Sequence, residues 1–312
     1  MSENTKYKEI TANELDSLLI ENADIILLHT MIESQFLKIR IPKSRQACVF
    51  EVNFVEQVKA ITSDNNNSIV VYGADSETMD APVAAEKLAA AGYKNIAILV
   101  GGIAAWKMQG LPIEGTSSGK NNESAIDIQF VDEVYTVDCE KSNIGWTGRN
   151  PNSSHYGNVS ITSGKIQVVD GKMTGEIEID MNSILNINLA GDESQPVLID
   201  HLKSDDFFHT DLFPIATFEI NQVKPLDEQS ISAPNFQIDG TLMMHGVMAK
   251  QSFPATLSLT ENGALSFEAH FDLDRTRWNI IYGSAKFFKH LGMHLVFDHI
   301  SIELRVITSV YP

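Results

Sequence analysis

The chain has 312 residues, 43% hydrophobic and 21% charged, the make-up of an ordinary globular protein long enough for two domains. Its net charge of −18 argues against a nucleic acid partner and against adsorption to an anionic membrane face. The acidic excess is uneven, with 11 Lys and Arg against 15 Asp and Glu over residues 1–120, and 12 against 26 over residues 121–312.

In chain order, Thr11-Ala12-Asn13-Glu14 reads as a capping box, and Leu15, Leu18 and Leu19 follow at helical spacing. Ile25 to Leu28 is a short apolar run of the kind found in strands buried on both faces. Phe54, Val55, Val58 and Ile61 mark a helix, Ile69 to Tyr72 a second buried strand, and Ala81 to Ala91 a further helix. Ile96 to Val100 is again a buried strand, before a helical Ile103 to Met108. Such alternation predicts an α/β unit with a parallel sheet over residues 1–115, with the loop 73–80 at the carboxyl end of a central strand.

Gly115 to Ser124 is small, polar and without hydrophobic period, so residues 116–128 are expected to be a linker. Beyond it, in residues 129–312, the period changes to two. Met173, Gly175, Ile177, Ile179 and Met181 alternate with polar residues, as do Phe236 to Met244, Leu265 to Leu273 and Ile300 to Val306. Asp170-Gly171 and Asn262-Gly263 are hairpin signals, and one helix is expected near Pro196 to Asp206. At least seven strands with one apolar face predict either a closed barrel of about eight strands or a two-sheet sandwich with a filled core. Periodicity does not separate these.

No stretch approaches the roughly 18 apolar residues of a membrane span. Met1 to Ile10 lacks the apolar core of a secretory signal, so the expected compartment is the cytoplasm. Cys48 and Cys139 provide neither a disulfide framework nor a metal cluster, and both are expected to be unpaired buried thiols. His290, His294 and His299 have a metal-like spacing only if helical, and Gly292 weakens that helix. His245 and Asp274-Arg275 are expected to be structural. No Ser-His-Asp set, P-loop or dinucleotide fingerprint is present, and no cofactor is expected.

Ala84-Ala85-Glu86-Lys87-Leu88, Ala91-Gly92-Tyr93, Gly101-Gly102-Ile103-Ala104-Ala105-Trp106 and Gly110-Leu111-Pro112-Ile113-Glu114 together resemble the second half of a rhodanese domain. That resemblance implies a cysteine at the end of the strand Ile69 to Tyr72, where this chain has Gly73. Sulfur transfer needs a thiolate, which positive surroundings stabilise. The loop Gly73, Asp75, Glu77, Thr78, Asp80 instead carries three carboxylates and neither Lys nor Arg. His29-Thr30-Met31 stands where the family has Asp-x-Arg, and its Gly-His-Ile-Pro-Gly-Ala phrase survives only in part, as Ile39-Arg40-Ile41-Pro42-Lys43-Ser44. The expectation is a vestigial site with no catalytic residue, in a module kept for regulation or for binding a protein partner.

Tyr135-Thr136-Val137-Asp138, His201 to Phe208, Phe213 to Phe218, Gly240 to Val247 and Asp274 to Trp278 resemble the YceI-like family of lipocalin-type barrels. The resemblance implies an eight-stranded antiparallel barrel holding a long apolar chain such as an isoprenoid quinone, polyisoprenoid or fatty-acyl amphiphile, and a homodimer. On that fold the apolar register predicts a lining of Met173, Ile177, Ile179, Phe218, Leu242 and Met244, continued by Leu257, Phe267, Phe271, Ile302 and Leu304. The function expected is non-enzymatic binding. The alternatives are a sulfurtransferase-related enzyme with a non-standard nucleophile, or an interaction scaffold whose barrel core is filled.

Overall fold

The computed structural model describes residues 7–21, 24–116, 130–227, 230–260 and 262–309. The chain divides into two compact units, Met1–Asn122 and Glu123–Pro312. Apart from Thr116, the expected linker lies outside the described residues.

In the first unit β1 (Lys8–Ile10), α1 (Ala12–Glu21), β2 (Ile26–His29), α2 (Glu33–Lys38) and β3 (Arg45–Gln46) come first. α3 (Phe54–Ile61), β4 (Ser68–Tyr72), α4 (Asp80–Ala90), β5 (Asn95–Leu99) and α5 (Gly102–Met108) follow. The strands form one parallel sheet in the order β1-β5-β4-β2-β3. Successive residues of a strand point to opposite faces, which explains the unbroken apolar runs Ile26 to Leu28 in β2 and Ile69 to Tyr72 in β4. Leu28, Ile69 and Val71 pack with Phe54, Val58 and Leu88, whereas Leu27, Val70 and Tyr72 pack with Leu15, Ile103 and Trp106. The capping box forms: Thr11 N–H donates to the Glu14 carboxylate at 2.7 Å, and Glu14 N–H donates to Thr11 Oγ1 at 3.3 Å. The Thr11 backbone N–H and the Thr11 hydroxyl, both donating to the Glu14 carboxylate, hold its pKa below the usual range.

The second unit comprises β6 (Val134–Val137), β7 (Asn143–Arg149), β8 (Ser154–Val169), β9 (Lys172–Asn186) and α6 (Ser194–Lys203). β10 (Ile215–Pro225), β11 (Phe236–Met244), β12 (Val247–Leu259), β13 (Leu265–Asp274) and β14 (His299–Ser309) complete it. Each strand from β8 to β14 pairs antiparallel with the next. β14 then pairs with β6 and β7, and both of these pair with β8. The two short strands share one stave, so the sheet closes into an eight-stranded antiparallel barrel, and the sandwich alternative is set aside. Closure leaves no edge strand to protect. Asp170-Gly171 and His245-Gly246 form two-residue hairpin loops with both residues at positive φ.

The barrel interior is not uniform along its length. At one end Tyr135, Ile166, Val168, Met173, Leu257, Leu265 and Phe267 are buried against one another. The other end is edged by the β7–β8 turn, α6 and the segment between β13 and β14.

Candidate functional site

That second end is hollow. A cavity of about 370 Å³ opens there, within the roughly 300–1,000 Å³ range of small-molecule sites. All eight staves contribute to its wall: Trp146 from β7, Val159 from β8, Ile177 and Ile179 from β9, Phe218 from β10, Leu242 and Met244 from β11, Phe253 from β12, Phe271 from β13, and Ile302 and Leu304 from β14. The change from hollow to filled is visible along one strand. Ile300, Ile302 and Leu304 are only half-buried because they face the void, while Val306, on the same face, is fully buried.

Three aromatic rings mark the floor. Phe253 and Phe271 stack with centroids 4.2 Å apart and planes 6° from parallel, and Phe218 lies 5.6 Å from Phe253. Gly240 makes room for this arrangement, since a Cβ there would meet the Phe218 ring at 2.3 Å. Beneath the floor lie Met173, Leu257 and Phe267, which do not reach the cavity. Alternation assigns a residue to the inward face but not to a height along the stave, and these three sit at the filled end. The other eight residues of the expected lining, Ile177, Ile179, Phe218, Leu242, Met244, Phe271, Ile302 and Leu304, are on the cavity wall.

Polar groups gather toward the mouth, where Arg149, Met293, His294 and Phe297 are exposed, and among the described residues no Asp or Glu lines the cavity. Arg149 donates to Ser301 Oγ at 2.8 Å. His201 Nε2 lies 3.1 Å from Asp206 Oδ2, and its ring stands edge-on to Phe207 and Tyr282. Tyr282 Oη is 3.4 Å from His294 Nδ1. The indole N–H of Trp146 is buried in the wall with no hydrogen-bond partner among the described residues. Leaving a buried donor unpaired costs about 1–3 kcal/mol, which an acceptor atom on an occupant would relieve.

Sequence reasoning missed Trp146, Phe253 and the mouth residues Arg149, His155, His201 and Tyr282. His294 is exposed and rims the cavity, and the helical turn at this position is only Gly292–His294, so His290 and His294 do not share a helix face. Arg275 is structural: buried, it donates to the carbonyls of Ile280, Val296 and Phe297. His245 Nδ1 bonds Trp278 O at 3.0 Å.

In the parallel-sheet unit, Gly73 follows β4 and its carbonyl accepts from Ile103 N–H at 3.0 Å. A Cβ at Gly73 would lie 2.8 Å from Asp80 Oδ2 and 2.9 Å from Asp80 Cβ. The loop's amides are turned to its own carboxylates. Asp80 Oδ2 accepts from Ala74 N–H at 3.3 Å, and Asp75 Oδ1 accepts from Glu77 and Thr78 N–H at 2.9 and 3.1 Å. Beside this loop His29 is fully buried, edge-on to Phe36 and Tyr72, with neither ring nitrogen hydrogen-bonded to a described residue. Burial pushes its pKa down to about 4, against the opposing pull of the Asp80 charge. Burial likewise drives the Tyr72 phenol up to about 12, although its hydroxyl donates to Ser44 Oγ and accepts from Ile41 N–H. Cys48 is buried, whereas Cys139 is only half-buried, with burial raising its thiol pKa. No group of three or more His, Cys, Asp or Glu side chains is placed to hold a metal among the described residues.

Two family models match the chain, a YceI-like domain over residues 135–307 and a rhodanese-like domain over residues 11–109. Among solved structures, BcnA of Burkholderia cenocepacia is 18% identical, the match covering 55% of this chain and 99% of that one with a TM-score of 0.41. A polyisoprenoid binding domain from Saccharophagus degradans, implicated in plant cell wall breakdown, is 11% identical over 57% and 98% of the two chains, with a TM-score of 0.40. Thiosulfate sulfurtransferase from Pseudomonas aeruginosa is 22% identical over 35% of this chain and 20% of that one, with a TM-score of 0.32. A comparison with curated proteins finds no match. With its barrel matched over more than half of its length, the chain belongs to the YceI-like family and carries a rhodanese-like domain ahead of the barrel.

Proposed function

We propose that the barrel binds one long apolar molecule, an isoprenoid quinone, polyisoprenoid or fatty-acyl amphiphile, with its chain toward the aromatic floor and its polar end at the mouth. The observation that carries this is the hollow itself: an apolar wall with half-buried Phe271, Ile302 and Leu304 facing a void, closed by Phe218 and Phe253. A wall with few polar groups selects by length and shape. Each buried methylene gains about 0.8 kcal/mol, so a chain burying about ten of them gains roughly 8 kcal/mol before the costs of association. Native mass spectrometry of the full chain, purified without detergent, tests this together with organic extraction. The expected result is one added mass per chain that extraction removes. A bare chain that takes up neither an added isoprenoid quinone nor an added fatty acid contradicts it.

Rhodanese-like domains include sulfurtransferases. We infer that this one is a non-catalytic regulatory or interaction module. Gly73 supplies no nucleophile, Asp80 occupies the space a side chain there would need, and Asp75 takes the amides of Glu77 and Thr78. A thiosulfate-to-cyanide assay on the wild type should show no turnover. Turnover would return the unit to the enzymes, with a non-standard residue in the role of the thiol.

A further inference from the structure

The segment that joins β13 to β14 differs in charge from the rest of the barrel unit. Residues 275–297 contain Arg275, Arg277, Lys286 and Lys289 and no Asp or Glu, in a chain of net charge −18. Its base is clamped. Arg275 holds the carbonyls of Ile280, Val296 and Phe297, Val296 N–H donates to Gly283 O, and Lys286 Nζ reaches Asp274 at 2.9 Å and Asp298 at 3.5 Å. Its tip projects apolar side chains: Phe287, Phe288 and Met293 are 53%, 44% and 87% exposed. Positive φ at His290 and Gly292 folds the tip back so that Met293 also lines the cavity mouth.

Exposed apolar side chains on a rigid base, beside a cation and at the entrance to an apolar cavity, are what a lipid surface recognises. We propose that this loop docks the barrel mouth on a phospholipid bilayer, with Phe287, Phe288 and Met293 entering the interface. The proposal builds on the reading that the cavity holds an apolar chain, which a bilayer would supply. Charge favours the contact only locally. Lys286 is neutralised by Asp274 and Asp298, which leaves Lys289 as the cation of the tip with no carboxylate partner among the described residues. Asp205 and Asp211, both exposed and following α6 in the chain, oppose a deeper approach to an anionic surface. Screening over about 8 Å at physiological salt lets the tip act apart from the acidic whole.

Flotation of the full chain with phosphatidylcholine vesicles, with and without phosphatidylglycerol, is the test. The wild type should float with both, a few-fold more with phosphatidylglycerol, and Phe287→Ser/Phe288→Ser should bind about tenfold more weakly. Lys289→Glu should remove only the gain from phosphatidylglycerol. An Ile302→Trp/Leu304→Trp variant, with its cavity obstructed, should still float, which separates docking from cavity occupancy. Absence of the wild type from both vesicle fractions, or equal flotation of the double serine variant, overturns the proposal.

Discussion

The carboxyl end of the parallel sheet and the open end of the barrel are finished in opposite ways. At the sheet, the loop after β4 satisfies its amides with Asp75 and Asp80, and the space over Gly73 is taken by the Asp80 side chain. At the barrel, inward side chains stop short of meeting, and an apolar void remains above Phe218, Phe253 and Phe271. A polar loop can supply its own ligands because a carboxylate needs only a short turn to reach nearby N–H groups. An apolar wall has no such local remedy, and only another apolar body can fill it. The difference suggests where binding remains open in this chain.

Filling the void should have the largest effect. Ile302→Trp/Leu304→Trp places two indoles in a space of about 370 Å³ and should reduce the bound mass at least about tenfold. Its thermal melt should stay close to that of the wild type, because both side chains face the void. Phe267→Ala, at the filled end, should do the reverse: a loss of about 3–5 kcal/mol in denaturant unfolding of the barrel, with ligand stoichiometry unchanged. If the two variants behaved alike, the division of the barrel into hollow and packed ends would fail.

The closed site can be broken by charge. His29 has a folded pKa of about 4, below its unfolded value near 6.5, so the native state disfavours the proton. The corresponding stability is fully present above about pH 6.5 and is lost as pH falls toward 4, a change of about 3 kcal/mol. Unfolding followed at several pH values in the wild type and in His29→Phe should show this component in the wild type alone. The smallest effect is expected from Gly73→Cys. Crowding against Asp80 should destabilise the unit by about 1–3 kcal/mol, and the thiosulfate-to-cyanide assay should stay silent because the new thiol faces a carboxylate. Rapid turnover in this single variant would mean that the loop remains a working anion cradle.

Much of the fold was legible. The unbroken apolar runs of β2, β4 and β5 require burial on both faces, and the period-two runs of β9, β11, β13 and β14 require one shared interior. β7 and β8 were not legible, since Gly148, Gly157 and Gly164 stand among their inward positions and the register of β8 shifts between Asn158 and Ser160 and between Ile161 and Ser163. The site was legible by face and not by depth: Phe271 and Phe267 share an inward register, yet one borders the void and the other is packed. The mouth carried no periodic signal, because Arg149 is the last residue of β7, Tyr282 lies on a turn and His294 ends a single short helical turn. A clue was available in the run without carboxylates from Arg275 to Phe297. At the sheet, the three acidic residues of the loop were readable, but the capture of the loop's own amides by two of them, Asp75 and Asp80, depends on backbone geometry.

The central claim concerns the inside of the barrel. A crystal structure of the full chain, purified without detergent or added lipid, tests it most directly through the electron density above Phe253 and Phe271. The account predicts continuous elongated density running from that floor toward Arg149 and His294. Density for ordered water alone, or side chains turned inward to fill the space, would contradict it.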